Sequence, residues 1–311
     1  MPELPILDEL REELHAAYLA AEERELAPPP RRSGPRRRWL LPAGSLVVTA
    51  VIVALISGLG AGTVAPPPAT AREALHRAAE NARTRPSDVP AGDGFYYVNS
   101  LATNLSQNGG PGPRDSRLVT VERESWTSLT RPGRLVEHVH GARAASAPAP
   151  RSASLGPVRY YLLGNERLSR AALLAYPTDP QAIIDRLSSR YEDGQGGTLE
   201  NELFVWVGDA LREQPAPPAL RAGLYEALAL IPRVTFVGKA TDRAGRTGLA
   251  VAQATGFSRR ELLFDPDTSE LLAERERLLD PAKAQIDLPA GTLITDTSYL
   301  ARAATTTTEA P

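Results

Sequence analysis

Three hydrophobic rhythms divide the chain. The first is an unbroken one: no charged residue occurs from Trp39 to Ala71, and Leu40 to Gly62 are almost wholly apolar. A helix needs about 20 such residues to cross a hydrocarbon core of roughly 30 Å, so the pattern predicts a single membrane span over 39–65. Pro42 stands near its start, where a missing N–H costs little, and Pro66 to Pro68 end it, leaving a Pro-rich linker at 66–69. A cleaved signal peptide would require an n-region of 38 residues and a cleavage site at Thr63–Ala65 directly before Pro66, both unfavourable.

The second rhythm is helical. Leu7, Leu10, Leu14 and Tyr18 recur at three- and four-residue steps and predict one apolar stripe on an N-terminal helix. Thr70 and Glu73 fit a capping box opening a helix through about Arg83. Thr178-Asp179-Pro180 reads as a helix start, with Ile183, Ile184 and Leu187 on one face. Further helices are predicted from about Leu199, with Leu203, Phe204, Val207 and Leu211 inward, and from Pro217 with Leu220, Leu224, Leu228 and Ile231 inward.

The third rhythm has period two. Residues 95–100, 117–126, 134–140 and 158–163 read as a first group of strands, and 233–238, 247–253, 259–265 and 270–279 as a second. Asp265 to Thr268 predict the tight turn that joins two strands of the second group. Residues 292–300 read as an added edge strand, residues 104–116 and 141–157 as surface loops, and 301–311 as a disordered tail. The sum is an α+β domain over 70–300, a curved antiparallel sheet with helices packed on one face, the helical block leaving open whether the strands form one sheet or two.

Charge sets the orientation. Arg31, Arg32, Arg36, Arg37 and Arg38 precede the span and no such cluster follows it, which predicts a cytoplasmic segment 1–38 and an extracytoplasmic domain. Residues 1–30 carry eight acidic and two basic side chains, so the striped N-terminal helix is disfavoured on an anionic membrane and suited to a protein partner. Ala50, Ala54, Gly58 and Gly62 share one face of the span and would allow two copies to pack as a homodimer. A net charge of -2 points to no nucleic acid, and the chain has no cysteine, which excludes disulfides, thiolate metal sites and cysteine nucleophiles.

Catalytic patterns are weak. His138 and His140 share a strand face but need at least one more ligand to hold a metal. Asp265, Asp267 and Glu270 lack the spacing of a calcium loop and are explained by a turn. Gly194 to Gly197 lack the lysine of a phosphate loop, and no nucleophile elbow is present. The reading is therefore of a protein that is not an enzyme and uses no cofactor, with a hydrolase built on the two histidines as a remote alternative. Tyr96, Tyr97, Trp126, Tyr160, Tyr161, Phe204 and Trp206 are read as core aromatics, the alternative being an apolar pocket for lipid or peptide.

Tyr176 to Pro180 with the following helix, residues 207–251 and residues 259–279 resemble an actinobacterial family of uncharacterised single-pass membrane proteins. Their genes typically stand beside those of extracytoplasmic-function sigma factors. The basic cluster, span and alanine-rich helix at 70–83 follow in the same order. The resemblance implies a regulatory, anti-sigma-like membrane protein with a sigma factor or other cytoplasmic regulator as partner, and it supplies no catalytic residues. The chain departs from zinc-binding anti-sigma domains in having no cysteine and a shorter tail. The resulting expectation is a cell-membrane signalling protein that binds an envelope ligand outside. An anchored binding module with no signalling role is the alternative.

Overall fold

The computed structural model describes residues 70–107, 116–140, 151–192 and 197–311. The acidic helix with Leu7, Leu10, Leu14 and Tyr18, the arginines 31–38, the span and its stripe at Ala50, Ala54, Gly58 and Gly62 lie outside these residues. Among the described residues no helix is long and apolar enough to cross a membrane.

The capping box at Thr70 and Glu73 forms in both directions and opens α1 (Ala71–Thr84). Four strands follow: β1 (Phe95–Gln107), β2 (Ser116–Thr127), β3 (Gly133–His140) and β4 (Arg151–Leu155). A short ribbon, β5 (Tyr161–Leu163) and β6 (Glu166–Leu168), leads into the helices α2 (Arg170–Leu174), α3 (Pro180–Ser188), α4 (Leu199–Glu213) and α5 (Pro218–Leu230). Then come β7 (Thr235–Thr241), β8 (Thr247–Ala254), β9 (Ser258–Phe264), β10 (Leu271–Leu278), the turn of helix α6 (Pro281–Ala284) and β11 (Leu293–Thr305).

Nine strands form one antiparallel sheet in the order β4-β3-β2-β1-β11-β10-β9-β8-β7. Apart from 158–163, of which Tyr161–Leu163 pairs with β6 in a separate two-stranded ribbon, the two strand groups belong to one sheet, and β11 joins them by pairing with β1 on one side and β10 on the other. The expected edge strand at 292–300 is the central connector instead. The segment 301–311, expected as a disordered tail, is corrected as well: β11 runs through Thr305, and the carbonyls of Thr306, Thr308 and Glu309 accept from Arg131, Arg134 and the Trp126 indole. Residues 151–155, assigned to a loop, form the edge strand β4.

The helices cover one side of the sheet. Leu249, Val251, Leu262, Phe264, Leu271 and Tyr299 share a core with them. At its centre α5 is apolar nearly all round, as befits a helix buried on every side. Ala74, Ala78, Ala79 and Ala82 are fully buried, and these small side chains let α1 lie close along α5. On the opposite side of the sheet, Ala250, Leu263, Leu272 and Ala273 form a small cluster with Ala240 packed on it. The β7–β8 turn is locked there by Asp242, whose side chain is fully buried against Arg246 at 2.6 Å, while Arg246 also donates to the carbonyls of Leu272 and Tyr299. Phe95, Tyr97, Trp126 and Val136 form a third cluster.

Candidate functional site

A cleft of about 310 Å³ opens between α4 and the sheet. On the helix side, Phe204, Val205, Gly208, Asp209 and Arg212 line it, a stripe at four-residue spacing on a helix that buries Leu203, Trp206, Val207, Ala210 and Leu211. On the sheet side, register decides which residues face it. Leu262 pairs with Glu274 and Arg260 with Glu276, so all four project to the helix-covered face, and Thr295 of β11 extends the row.

Gly208 sets the approach of helix to sheet. A Cβ there would stand 3.2 Å from both Glu274 Oε1 and Leu262 Cδ2, so its lack of a side chain keeps the cleft open at its narrowest contact. The apolar wall consists of Phe204, Val205 and Leu262.

The polar wall is a network of ion pairs. Arg212 donates to Glu274 Oε2 at 2.7 Å and meets Asp209 at 2.7 Å. The Tyr299 hydroxyl donates to the same Glu274 oxygen at 3.2 Å. Burial, and then the Glu274 carboxylate beside it, push that hydroxyl well above its ordinary range, so it remains a donor at neutral pH. Glu276 accepts from Ser258 Oγ at 2.6 Å and lies 3.5 Å from Arg260. The arrangement offers a greasy wall and a rim of oriented charges, suited to binding a molecule with an apolar body and a polar end. No histidine, serine nucleophile or base pair lines it.

The residues singled out in the sequence fall elsewhere. His138 and His140 do share a face, as their spacing predicts, because Glu137 pairs with Arg123 on the other. Glu122 pairs with His138 across the strands and lies 3.6 Å from His140 Nε2. Among the described residues no group of three or more His, Asp or Glu side chains is placed to hold a metal ion. Asp265 folds its carboxylate onto the N–H groups of Asp267 and Thr268, while Asp267 and Glu270 pair with Arg77 and Arg85. This is the turn chemistry expected of them. Tyr96, Tyr97, Trp126 and Trp206 are core residues, whereas Phe204 is both core and cleft wall. The signals for the cleft were a lone glycine inside an amphipathic helix and alternating Glu and Arg in β10. Neither identifies a site without the register that brings them together.

No protein-family model and no curated protein matches the chain. Among solved structures, the dehydratase domain from the CurK module of Curacin polyketide synthase aligns with 74% of this chain and 80% of that chain. The identity is 12% and the TM-score 0.15, too slight a likeness to carry an argument.

Proposed function

We propose that this chain is a membrane-anchored regulatory protein whose extracytoplasmic domain binds a small amphiphilic envelope molecule in the cleft under α4. The observation that carries the binding reading is the cleft itself, with its apolar wall of Phe204, Val205 and Leu262 facing a rim of paired charges. Anchoring and orientation rest on the charge-free segment 39–65 and the arginines before it. The acidic helix 4–26 is then the cytoplasmic arm of the same protein.

The absence of cysteine makes one experiment serve both parts. Single thiols are introduced in the full chain as Val205→Cys, in the cleft, and Ala282→Cys, on the exposed α6. Intact cells are treated with a membrane-impermeant maleimide. Labelling of Ala282→Cys in intact cells supports the outward domain, and labelling only after lysis overturns it. Val205→Cys should react about tenfold more slowly in native membranes than after delipidation, because a bound molecule covers it. Equal rates in the two states would refute occupancy of the cleft.

A further inference from the structure

A second, smaller pocket of about 90 Å³ lies away from the α4 cleft. It is bounded by Arg85 and Asp88 after α1, Arg221 of α5, Arg246, Glu270 and the β11 segment Tyr299–Arg302. Its volume has room for several waters or one small oxyanion, since a water needs about 10–15 Å³ on this measure.

Arginine dominates the lining. Arg85 pairs with Glu270 at 2.7 Å, Arg221 with Asp88 Oδ2 at 2.6 Å and Arg246 with Asp242 at 2.6 Å. Arg302 has no carboxylate partner among the described residues: it donates to the Leu271 carbonyl and stacks 4.7 Å over the Tyr299 ring. Four guanidinium groups therefore face three carboxylates, and the cluster holds one uncompensated positive charge.

Two lining residues carry a buried polar atom with no hydrogen-bond partner among the described residues, Asp88 Oδ1 and Arg302 Nε, and the Tyr96 hydroxyl, just outside the lining, is a third. Tyr96 of β1 pairs with Ala304 of β11 and Val98 with Arg302, so Tyr96 and Arg302 project from the same face of neighbouring strands. Burial first, and Asp88 next, push its hydroxyl above the ordinary range, so it too stays protonated. Leaving such atoms unpaired carries the full penalty of removing them from water. The set contains two donors and one anionic acceptor. Its complement accepts two hydrogen bonds, donates one and carries negative charge. Water meets the first two conditions and leaves the excess charge in place. Sulfate meets the charge condition but would set a lone pair against Asp88. Hydrogen phosphate meets all three.

We propose that this pocket is an inorganic phosphate site in which Arg302 and Tyr96 donate to the anion and Asp88 Oδ1 accepts a hydrogen bond from the anion's own P–OH. A phosphomonoester, mostly without that proton at pH 7 given a second pKa of about 6, binds less well, and a phosphodiester headgroup not at all.

The test is equilibrium dialysis of the full chain in detergent with labelled phosphate at pH 7 and fixed ionic strength. One saturable site is expected, with glycerol phosphate a weaker competitor and equimolar sulfate displacing little. Arg302→Gln should weaken binding at least about tenfold, the loss of a charge-assisted bond. Asp88→Asn, which no longer demands a proton from its ligand, should let sulfate compete with phosphate. Circular dichroism checks that each variant folds, and Arg302→Lys, retaining the charge without the Nε–H, serves if Arg302→Gln does not. No saturable uptake by the wild type, sulfate competing as well as phosphate, or undiminished binding in the folded Arg302 variant would each overturn the proposal.

Discussion

At the scale of single residues, a two-bond charge pair ties the short ribbon to the helical block. Glu166 of β6 receives Arg186 of α3 through two bonds, Nε to Oε2 at 2.8 Å and Nη2 to Oε1 at 2.6 Å. Arg186 also lies 4.5 Å over the Tyr176 ring, so the guanidinium is held on two sides. The Arg186 hydrogen bonds hold the Glu166 carboxyl below its ordinary value of 4.5. A carboxyl lowered on folding adds stability that is complete above its unfolded pKa and is lost as pH falls through the folded one. Glu166→Gln should therefore destabilise the protein by about 1–3 kcal/mol at pH 7, less to the extent that the half-exposed Arg186 is screened. In urea titrations the gap between wild type and variant should shrink as pH drops below 4.5. A gap that stayed constant from pH 7 to pH 3 would mean that the pair contributes nothing through its charge. None of this pairing was legible in the sequence. Arg186 is only the solvent-side residue of an amphipathic helix, and its partner stands in a three-residue strand too short to show a period.

Elements were legible where a face is buried. The strands over 117–126, 134–140, 247–253, 259–265 and 270–279 were read from runs of strand-type residues, and all five form, β8 with both of its faces buried. The strand β4 escaped because an edge of Arg, Ser and Ala shows no apolar alternation. β11 was placed at an edge because Thr, Asp and Ser fill it, yet those side chains are satisfied by partners distant in sequence: Asp296 by Arg275 at 3.0 Å, and Ser298 by the Arg243 N–H at 3.1 Å. Among helices, α5 carries a constraint that propensity alone would misjudge. In an ordinary helix, Gly to Ala gains about 0.5–1 kcal/mol. At Gly223 the added Cβ would stand 2.4 Å from the Thr178 carbonyl oxygen and 2.9 Å from Ile183 Cδ1, where α3 begins. Backbone cannot yield as a side-chain tip can, so Gly223→Ala should lower stability by about 1–3 kcal/mol in denaturant midpoints. A stabilised variant would show that α3 and α5 do not cross this closely.

For the molecule as a whole, the consequential fact is that the last strand closes the structure. Among the described residues β11 alone stands between the N-terminal group and the C-terminal meander, so both pockets depend on it: Thr295 and Tyr299 serve the α4 cleft, and Tyr299 and Arg302 serve the arginine pocket. Such convergence is invisible along a sequence, because Asp88 and Arg302 meet only once the strand order is known. The same closure gives the final residues a structural task. Trp126 is buried with its ring 4.9 Å from Tyr97, and its indole N–H donates 3.1 Å to the Glu309 carbonyl, while Arg131 and Arg134 reach the carbonyls of Thr306 and Thr308. A chain ending at Thr305 should keep the nine-stranded sheet and the α4 cleft. It should lose about 1–3 kcal/mol as the Trp126 indole gives up its partner, with melting lowered by about 2–4 °C for each kcal/mol. Trp126 emission should shift to the red, and amide exchange should quicken in β1 to β3 while β8 to β10 stay protected. A chain ending at Thr292 should not fold at all, since the core residues Ile294 and Tyr299 leave with the strand that pairs both halves. If the Thr305 truncation melted like the full chain, residues 306–311 would merely lie along the surface, and Trp126 would owe its burial to Phe95, Tyr97 and Val136.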